Sequence, residues 1–189
     1  MRRLVSFVLL LPLLASCGGA DVHRREAAVT AAEASTVLRQ VANLAAERTP
    51  DAASRLCTTL SDGCHGLSSG FLAGPASAPR SHPSVLCDIP LPPTAGQAGA
   101  RVLVVTGRDA TDRTYLGQVL VQRRQGRPIV HEPAFWLGIR YTQVVHGMAW
   151  SGASDDPRSR ATHDAAVRGA CADPAAFVAA VTVRPEQSP

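Results

Sequence analysis

Residues 101–136 read RVLVVTGRDATDRTYLGQVLVQRRQGRPIVHEPAFW, and their pattern decides the fold. Arg101–Gly107 is dense in β-branched residues and apolar on both faces, which predicts a central strand. Asp109–Asp112 and Arg124–Arg127 have the composition of turns. Pro128–Glu132 then begins another strand, so the stretch predicts consecutive antiparallel strands joined by short turns.

In the long strand between these turns, Thr114–Arg123, apolar and polar side chains alternate, as they do in a strand whose two faces have different neighbours. Ala134–Thr142 follows the next strand and carries three of the chain's aromatic residues. We expect it to complete the sheet. The long strand carries on one face Tyr115, Val119 and Val121, and on the other Gln118 and Gln122.

Two helices precede the sheet. Residues 25–48 place apolar side chains at helical spacing, which predicts an amphipathic helix. Thr49 and Pro50 are typical of the N-cap and first position of a second helix, which carries Cys57 on its inward face and ends at Asp62-Gly63. Helices followed by an antiparallel meander predict an α+β domain, with the N-terminal helices packed on a curved sheet.

The remaining segments flank these elements. Residues 66–99 are rich in Gly, Pro, Ser and Ala, which predicts a loop-rich stretch with one short strand at Ser84–Ile89. An Asp-Asp-Pro sequence starts a helix over residues 157–171, and an Asp-Pro pair starts a short apolar segment over 174–183. We expect residues 145–189 to form a C-terminal extension with a helix.

The order of helices and strands resembles the NTF2-like cone fold, in which N-terminal helices close one side of a strongly bent sheet. The likeness rests on residues 101–136: an apolar strand, an Arg-x-Tyr that opens a long strand, a Gly-Arg turn, and an apolar strand that leads into Pro-Ala. The pattern is similar to domains of actinobacterial lipoproteins and, more weakly, to TcpC-type conjugation-apparatus domains. The resemblance implies one NTF2-like α+β domain over residues 25–144.

A lipobox precedes the domain. Leu14-Ala15-Ser16-Cys17 follows Arg2, Arg3 and a short apolar run, which is the order of a bacterial lipoprotein signal. The apolar run is too short to cross a hydrocarbon core of ~30 Å, so we expect residues 1–16 to be a signal peptide and 17–24 a lipidated tether. The alternative is an ordinary cleaved signal that Cys17 follows by chance.

Lipidation of Cys17 implies a covalent diacylglyceryl group, and two acyl chains hold a protein on a membrane where one does not. The expected location is the extracytoplasmic face of the cell membrane. We expect no cofactor other than this covalent lipid.

All 19 basic side chains are arginine. A P-loop, a Ser-x-x-Lys site and a pyridoxal Schiff base each need a lysine, so these three kinds of site are excluded. Removing Arg2 and Arg3 leaves 17 arginines against 15 acids, a net charge of +2, and we expect no nucleic-acid partner. The densest group, Arg123, Arg124 and Arg127, is interpreted as a solvated hairpin tip.

Four cysteines remain after Cys17, and an even number outside the cytoplasm predicts two disulfides. Three pairings are possible. We favour Cys57–Cys64, which flank a turn, and Cys87–Cys171, which would tie the C-terminal segment to the rest of the domain. A metal site is the alternative use of the cysteines, but the chain has no Cys-x-x-Cys pair and no two histidines at helical i, i+4 spacing, so we expect none.

Enzymes with the NTF2-like cone, such as polyketide-cyclase-like proteins and steroid isomerases, place an Asp or His with a Tyr inside it. The matching candidates here are Asp109, Tyr115, His131 and Trp136. Each also has a structural interpretation: Asp109 serves its turn, Tyr115 and Trp136 pack in the core, and His131 lies at a strand edge. We therefore expect no catalytic site.

The sequence favours a membrane-anchored, non-enzymatic binding or accessory module for an envelope protein partner or a small apolar ligand. One alternative is a cyclase- or isomerase-like enzyme on the same scaffold. Another is a scaffold component of a secretion or conjugation apparatus. The candidate pocket is lined by Tyr115, Val119, Val121, Phe135 and Trp136.

Overall fold

The computed structural model describes residues 26–64, 78–94, 96–131, 133–137 and 157–182. Cys17, the signal peptide and the tether lie outside the described residues, so lipidation stays a prediction. No helix in the described ranges is long and apolar enough to cross a membrane.

Helix α1 spans Ala31–Glu47 and begins later than the sequence predicted. Thr30 is its N-cap: the Thr30 hydroxyl accepts a hydrogen bond from Glu33 N, and the Glu33 carboxylate accepts one from Thr30 N. This capping box satisfies N–H groups that a helix start leaves unpaired. The prediction that residues 26–30 are helical is therefore wrong, because the helix begins only after its N-cap, Thr30.

Helix α2 spans Pro50–Arg55, and the Thr49 side chain caps it, as predicted. The chain continues as a π-helical turn over Leu56–Leu60, which ends before the expected Asp-Gly stop. Ser61 leaves the helix because it forms a parallel bridge with Val130.

Four antiparallel strands form one open sheet in the order β1-β2-β3-β4, which confirms the α+β class. The short strand expected in the loop-rich stretch is β1, at one edge, and the expected central strand is β2. Gln125 and Gly126 form the turn between β3 and β4 with φ of 51° and 76°, the positive angles of a tight two-residue hairpin. The strands are β1 Ser84–Leu91, β2 Ala100–Arg108, β3 Thr114–Arg124 and β4 Arg127–Val130.

The first buried cluster combines α1 with one face of the sheet. Leu103 of β2 and Val119 of β3 are directly opposite each other in the strand register. They share one buried cluster with Val37, Leu38 and Val41 of α1, which come from the apolar stripe of that helix. Each of these side chains is at most 3% exposed.

The second buried cluster lies on the opposite face, because successive strand residues point to alternate faces. It joins Val102 of β2 to Val167 and Phe177 in the C-terminal segment. The segment expected as an extension therefore contributes buried side chains to the core. Its helices are α3, Pro157–Ala172, and α4, Pro174–Thr182.

The segment after β4 differs from the prediction. Phe135–Leu137 form a 3₁₀ turn rather than part of a strand, and residues 138–142 lie outside the described residues. Phe135 and Trp136 are 0% and 1% exposed. A strand would send consecutive side chains to opposite faces, whereas a 3₁₀ turn lets both enter the same cluster.

Both preferred disulfides are confirmed. Cys57–Cys64 and Cys87–Cys171 are bonded, with Cα atoms 5.6 Å and 5.8 Å apart. The first closes the π-helical turn onto the residues that follow it. The second joins β1 to α3, across a sequence separation of 84.

Candidate functional site

The five residues expected to line a pocket lie together in the first buried cluster. Tyr115, Val119, Val121, Phe135 and Trp136 are 0% to 5% exposed. Phe135 packs edge-on against Trp136 with ring centroids 5.0 Å apart, and the Tyr115 ring is 6.4 Å from that of Phe135. We call Tyr115, Phe135 and Trp136 the aromatic cluster.

Two glycines make room for the aromatic cluster. Gly107 is opposite Tyr115 in the strand register, and a Cβ there would lie 2.5 Å from Tyr115 Oη. A Cβ on Gly117 would lie 2.8 Å from the carbonyl oxygen of Phe135. Both close approaches therefore depend on the absence of a side chain.

Two buried hydrogen-bond donors in the aromatic cluster have no partner among the described residues. Tyr115 Oη and Trp136 Nε1 make no hydrogen bond within the described part of the chain. Burial raises the pKa of Tyr115, so the hydroxyl keeps its proton and remains a donor. A buried donor without an acceptor costs about 1–3 kcal/mol, and native proteins contain few of them.

Asp109 is committed to its turn, the role that the sequence indicated. Its Oδ1 accepts hydrogen bonds from Thr111 N at 2.9 Å, Thr111 Oγ1 at 2.7 Å and Arg113 N at 2.9 Å. Burial by itself would raise the pKa of Asp109, but these hydrogen bonds outweigh burial and lower it. Asp109 is thus an ionised turn residue.

His131 directly follows β4 and pairs with Asp62, with 3.0 Å between Nδ1 and Oδ1. Gln122 Nε2 donates to Asp62 Oδ2 at 2.7 Å, and Arg124 Nε lies 3.1 Å from the same oxygen. We call these four side chains the Asp62 cluster. A carboxylate at Nδ1 fixes the orientation of an imidazole and leaves Nε2 pointing away from the carboxylate.

The Asp62 cluster was not predictable from the sequence because Asp62 and His131 are 69 positions apart. The only local signal was an Asp-Gly pair, which was interpreted as a helix stop. The parallel bridge between Ser61 and Val130 brings the two side chains together.

The arginines of the β3–β4 hairpin have different environments. The Arg123 side chain is 11% exposed and donates hydrogen bonds to Ala27 O, Gly126 O and the Glu33 carboxylate. The Arg124 side chain is 64% exposed. The interpretation as a solvated tip is therefore wrong for Arg123, because its guanidinium reaches back to the start of α1.

Two adjoining hollows flank this hairpin, and Thr59 and Arg127 line both of them. The first has a volume of about 330 Å³, and its polar lining includes Asp62 and Arg124. The second has a volume of about 430 Å³ and lies against α1. The lining of the second hollow includes Glu33, Val37, Leu60 and Pro128.

Within the described ranges, no group of three or more His, Cys, Asp or Glu side chains is arranged to hold a metal ion. No protein-family model matches the chain, and no curated protein or solved structure is significantly similar to it.

Proposed function

We propose that this protein is a lipid-anchored module of the extracytoplasmic membrane face that binds a small, largely apolar ligand. The lipobox at Cys17 supports the anchor, since an acylated first residue holds a mature chain at a membrane. The two disulfides support the compartment, since disulfides persist mainly in oxidising environments.

The proposal includes the finer fold that the resemblance implies, an NTF2-like cone closed on one side by the N-terminal helices. Two observations support it: the order of the helices and strands, and the buried cluster that α1 shares with one face of the sheet. In such a cone the aromatic cluster faces the concave side, where this fold holds its ligands.

One observation carries ligand binding: Tyr115 Oη and Trp136 Nε1 are buried donors without an acceptor among the described residues. Their rings belong to the same cluster of packed aromatic side chains. A ligand with an acceptor oxygen and an otherwise apolar body would satisfy the donors and bury its own surface against the rings.

A protein partner is the other occupant that the sequence favours. Val85 and Leu86, at 42% and 48%, are the large apolar side chains exposed on the described part of the surface. Interfaces that depend on apolar contact need patches of several hundred Å². We therefore favour the small ligand over the protein partner.

The anchor is tested by replacing Cys17 with Ala and following membrane partition and uptake of labelled palmitate. The variant is expected to lose both membrane partition and palmitate uptake, because alanine has no thiol to form the thioether with the lipid. Ser16→Ala is the matched control, since it keeps a small residue before the cysteine. If Cys17→Ala still takes up palmitate, the anchor is wrong.

The ligand is tested by extracting the chain isolated from its own cells and identifying small molecules by mass spectrometry. We expect a largely apolar molecule with an acceptor oxygen. Trp136→Phe should retain less of it, because the variant keeps an aromatic ring but lacks the Nε1 donor. Phe177→Leu, in the second buried cluster, is the control and should retain it fully. An unmodified chain that yields no such molecule contradicts ligand binding.

A cyclase- or isomerase-like activity is the second candidate, and the Asp62–His131 pair favours it. The His131 side chain is 38% exposed and the Asp62 side chain 19%, so the imidazole is oriented yet accessible. A general base needs this accessibility to reach a substrate proton. If the extracted molecule is turned over, His131→Gln should abolish turnover while binding persists; equal turnover would remove this candidate.

A further inference from the structure

Arg127 lies where the two hollows meet, and its side chain makes no ion pair or hydrogen bond with the described residues. The carboxylate that lines the first hollow, Asp62, is already engaged by His131, Gln122 and Arg124. Asp62 therefore has little capacity left to neutralise the Arg127 guanidinium.

The carboxylate that lines the second hollow is also engaged. Glu33 Oε1 accepts a hydrogen bond from Arg123 Nη2 at 2.7 Å. Glu33 Oε2 accepts two more, from Thr30 N at 2.8 Å and Thr30 Oγ1 at 2.9 Å. Both acids that line the hollows are thus committed to other donors, and no described residue forms an ion pair with Arg127.

A second arginine lies directly across the hairpin from Arg127. Arg124 and Arg127 are partners in the strand register and flank the two-residue turn. Like charges directly opposite each other destabilise an antiparallel pair. Arg124 already pairs with Asp62 through Nε, so an oxyanion at this point would accept charge-assisted hydrogen bonds from Arg127 and from the terminal nitrogens of Arg124.

The neighbouring strand edge is unsuited to an added β-strand. Pro128 has no N–H to donate, and the carbonyl of Val130 already accepts a hydrogen bond from Asp62 N at 3.3 Å. A strand from another protein would find few free backbone groups along β4. A small molecule bound through side chains fits this edge better.

We propose that the junction of the two hollows binds an oxyanion, carboxylate or phosphate, carried on a short aliphatic arm. Arg127 and Arg124 bind the oxyanion from the first hollow. The arm lies in the second hollow against Val37, Leu60 and Pro128. This site is separate from the aromatic cluster, and the inference does not depend on a ligand there.

The test uses the full chain in nanodiscs of uncharged lipid, with empty discs as the blank. Isothermal titration calorimetry compares hexyl phosphate and hexanoate with inorganic phosphate, which lacks the arm, and hexanol, which lacks the charge. The variants are Arg127→Ala and the control Arg168→Ala. Arg168 is an exposed arginine on α3, which packs on the opposite face of the sheet.

We expect the charged amphiphiles to bind more tightly than inorganic phosphate and hexanol. Arg127→Ala should weaken them by about tenfold, the effect of one charge-assisted hydrogen bond, and Arg168→Ala should leave them unchanged. If phosphatidylglycerol in the discs competes with hexyl phosphate, the occupant is a lipid phosphate; without competition it is a soluble anion. Equal weakening by the two variants, or hexanol binding as tightly as hexanoate, overturns the proposal.

The same titrations separate this site from the proposed ligand in the aromatic cluster. Trp136→Phe should leave hexyl phosphate binding unchanged, because the site does not include the aromatic cluster. A loss of binding in Trp136→Phe but not in Arg127→Ala would assign the amphiphile to the aromatic cluster and overturn the Arg127 site.

Discussion

Arg123 and Glu33, 90 residues apart in the sequence, are joined by a hydrogen-bonded ion pair of 2.7 Å between Nη2 and Oε1. Glu33 belongs to the capping box of α1, and Arg123 lies at the end of β3. Arg123 Nε also donates to Ala27 O at 2.8 Å. One guanidinium thus ties the entrance of the first helix to the hairpin of the sheet.

This pair predicts a pH dependence. The hydrogen bond from Arg123, with those from Thr30, lowers the pKa of Glu33 from its ordinary value of 4.5 to about 2. A carboxylate with a lowered folded-state pKa contributes stability that is complete above about pH 4.5 and is lost as the pH falls toward 2. Urea unfolding of Glu33→Gln should show a flatter pH dependence in this window. An unchanged dependence would mean that Glu33 is not the responsible group.

Arg123→Ala should destabilise the protein more than Arg124→Ala. Truncating Arg123 leaves three acceptors without their donor at a largely buried position, which costs about 1–3 kcal/mol. Arg124 is mostly exposed, and its ion pair with Asp62 contributes at most about 1 kcal/mol. Equilibrium urea unfolding measures the free energy of unfolding of both variants. Equal losses would contradict the different environments of the two arginines.

Gly117→Ala should destabilise the fold, because the added methyl would lie 2.8 Å from the Phe135 carbonyl oxygen and push the 3₁₀ turn away. Overpacking of this kind costs about 1–3 kcal/mol. Gly169→Ala is the matched control: a Cβ there would meet no described atom from outside its own helix within 4 Å, and alanine should stabilise α3 by up to about 1 kcal/mol. Thermal unfolding should therefore shift in opposite directions for the two variants.

Removing the two disulfides should have unequal effects. A paired Cys57→Ala and Cys64→Ala variant opens a short loop and should lose about 2–3 kcal/mol, while Cys87→Ala with Cys171→Ala opens a long loop and should lose about 4–5 kcal/mol. The reason is that the longer crosslink removes more chain entropy from the unfolded state. Guanidinium unfolding of both variants measures which one loses more stability. A larger loss on removing Cys57–Cys64 would show that native-state contacts outweigh the chain entropy of the unfolded state.

The effect of Tyr115→Phe on stability should have opposite signs in protein that is free of the proposed ligand and in protein that holds it. In chain stripped of small molecules by unfolding and refolding, the variant should be more stable by up to about 1–3 kcal/mol, because it no longer buries an unpaired hydroxyl. In chain isolated with its ligand, the variant should be less stable, because the hydroxyl has an acceptor to lose. The same sign in both preparations would contradict a ligand at Tyr115.

Several elements were predictable because their causes are local. The cap of α2 at Thr49, the strand β2 and the turn at Asp109 each follow from a few neighbouring residues. The start of α1 predicted from apolar spacing is too early, because the Thr30 capping box places the first helical residue at Ala31. That signal was present in the sequence.

The candidate sites were less predictable. The sequence predicted that the residues of the aromatic cluster line a pocket, and they lie together in one buried cluster, but the strand expected over residues 134–142 is wrong at Phe135–Leu137. Two adjacent aromatic residues suit a strand or a turn equally well, so local sequence does not decide between them; in the turn, the Phe135 carbonyl oxygen lies close to Gly117. The Asp62 cluster left no periodic pattern in the sequence.

The sequence by itself determined most of the local elements, because each depends on residues that are close in the chain, and it predicted the lipobox and the pairing of the other four cysteines. Only the tertiary structure decided that Arg123 is buried against Glu33, that His131 pairs with Asp62, and that Arg127 has no counter-charge among the described residues. The physical reason is that hydrogen-bond partners are chosen by distance in space, and residues 60 to 90 positions apart meet only after the sheet and helices have packed.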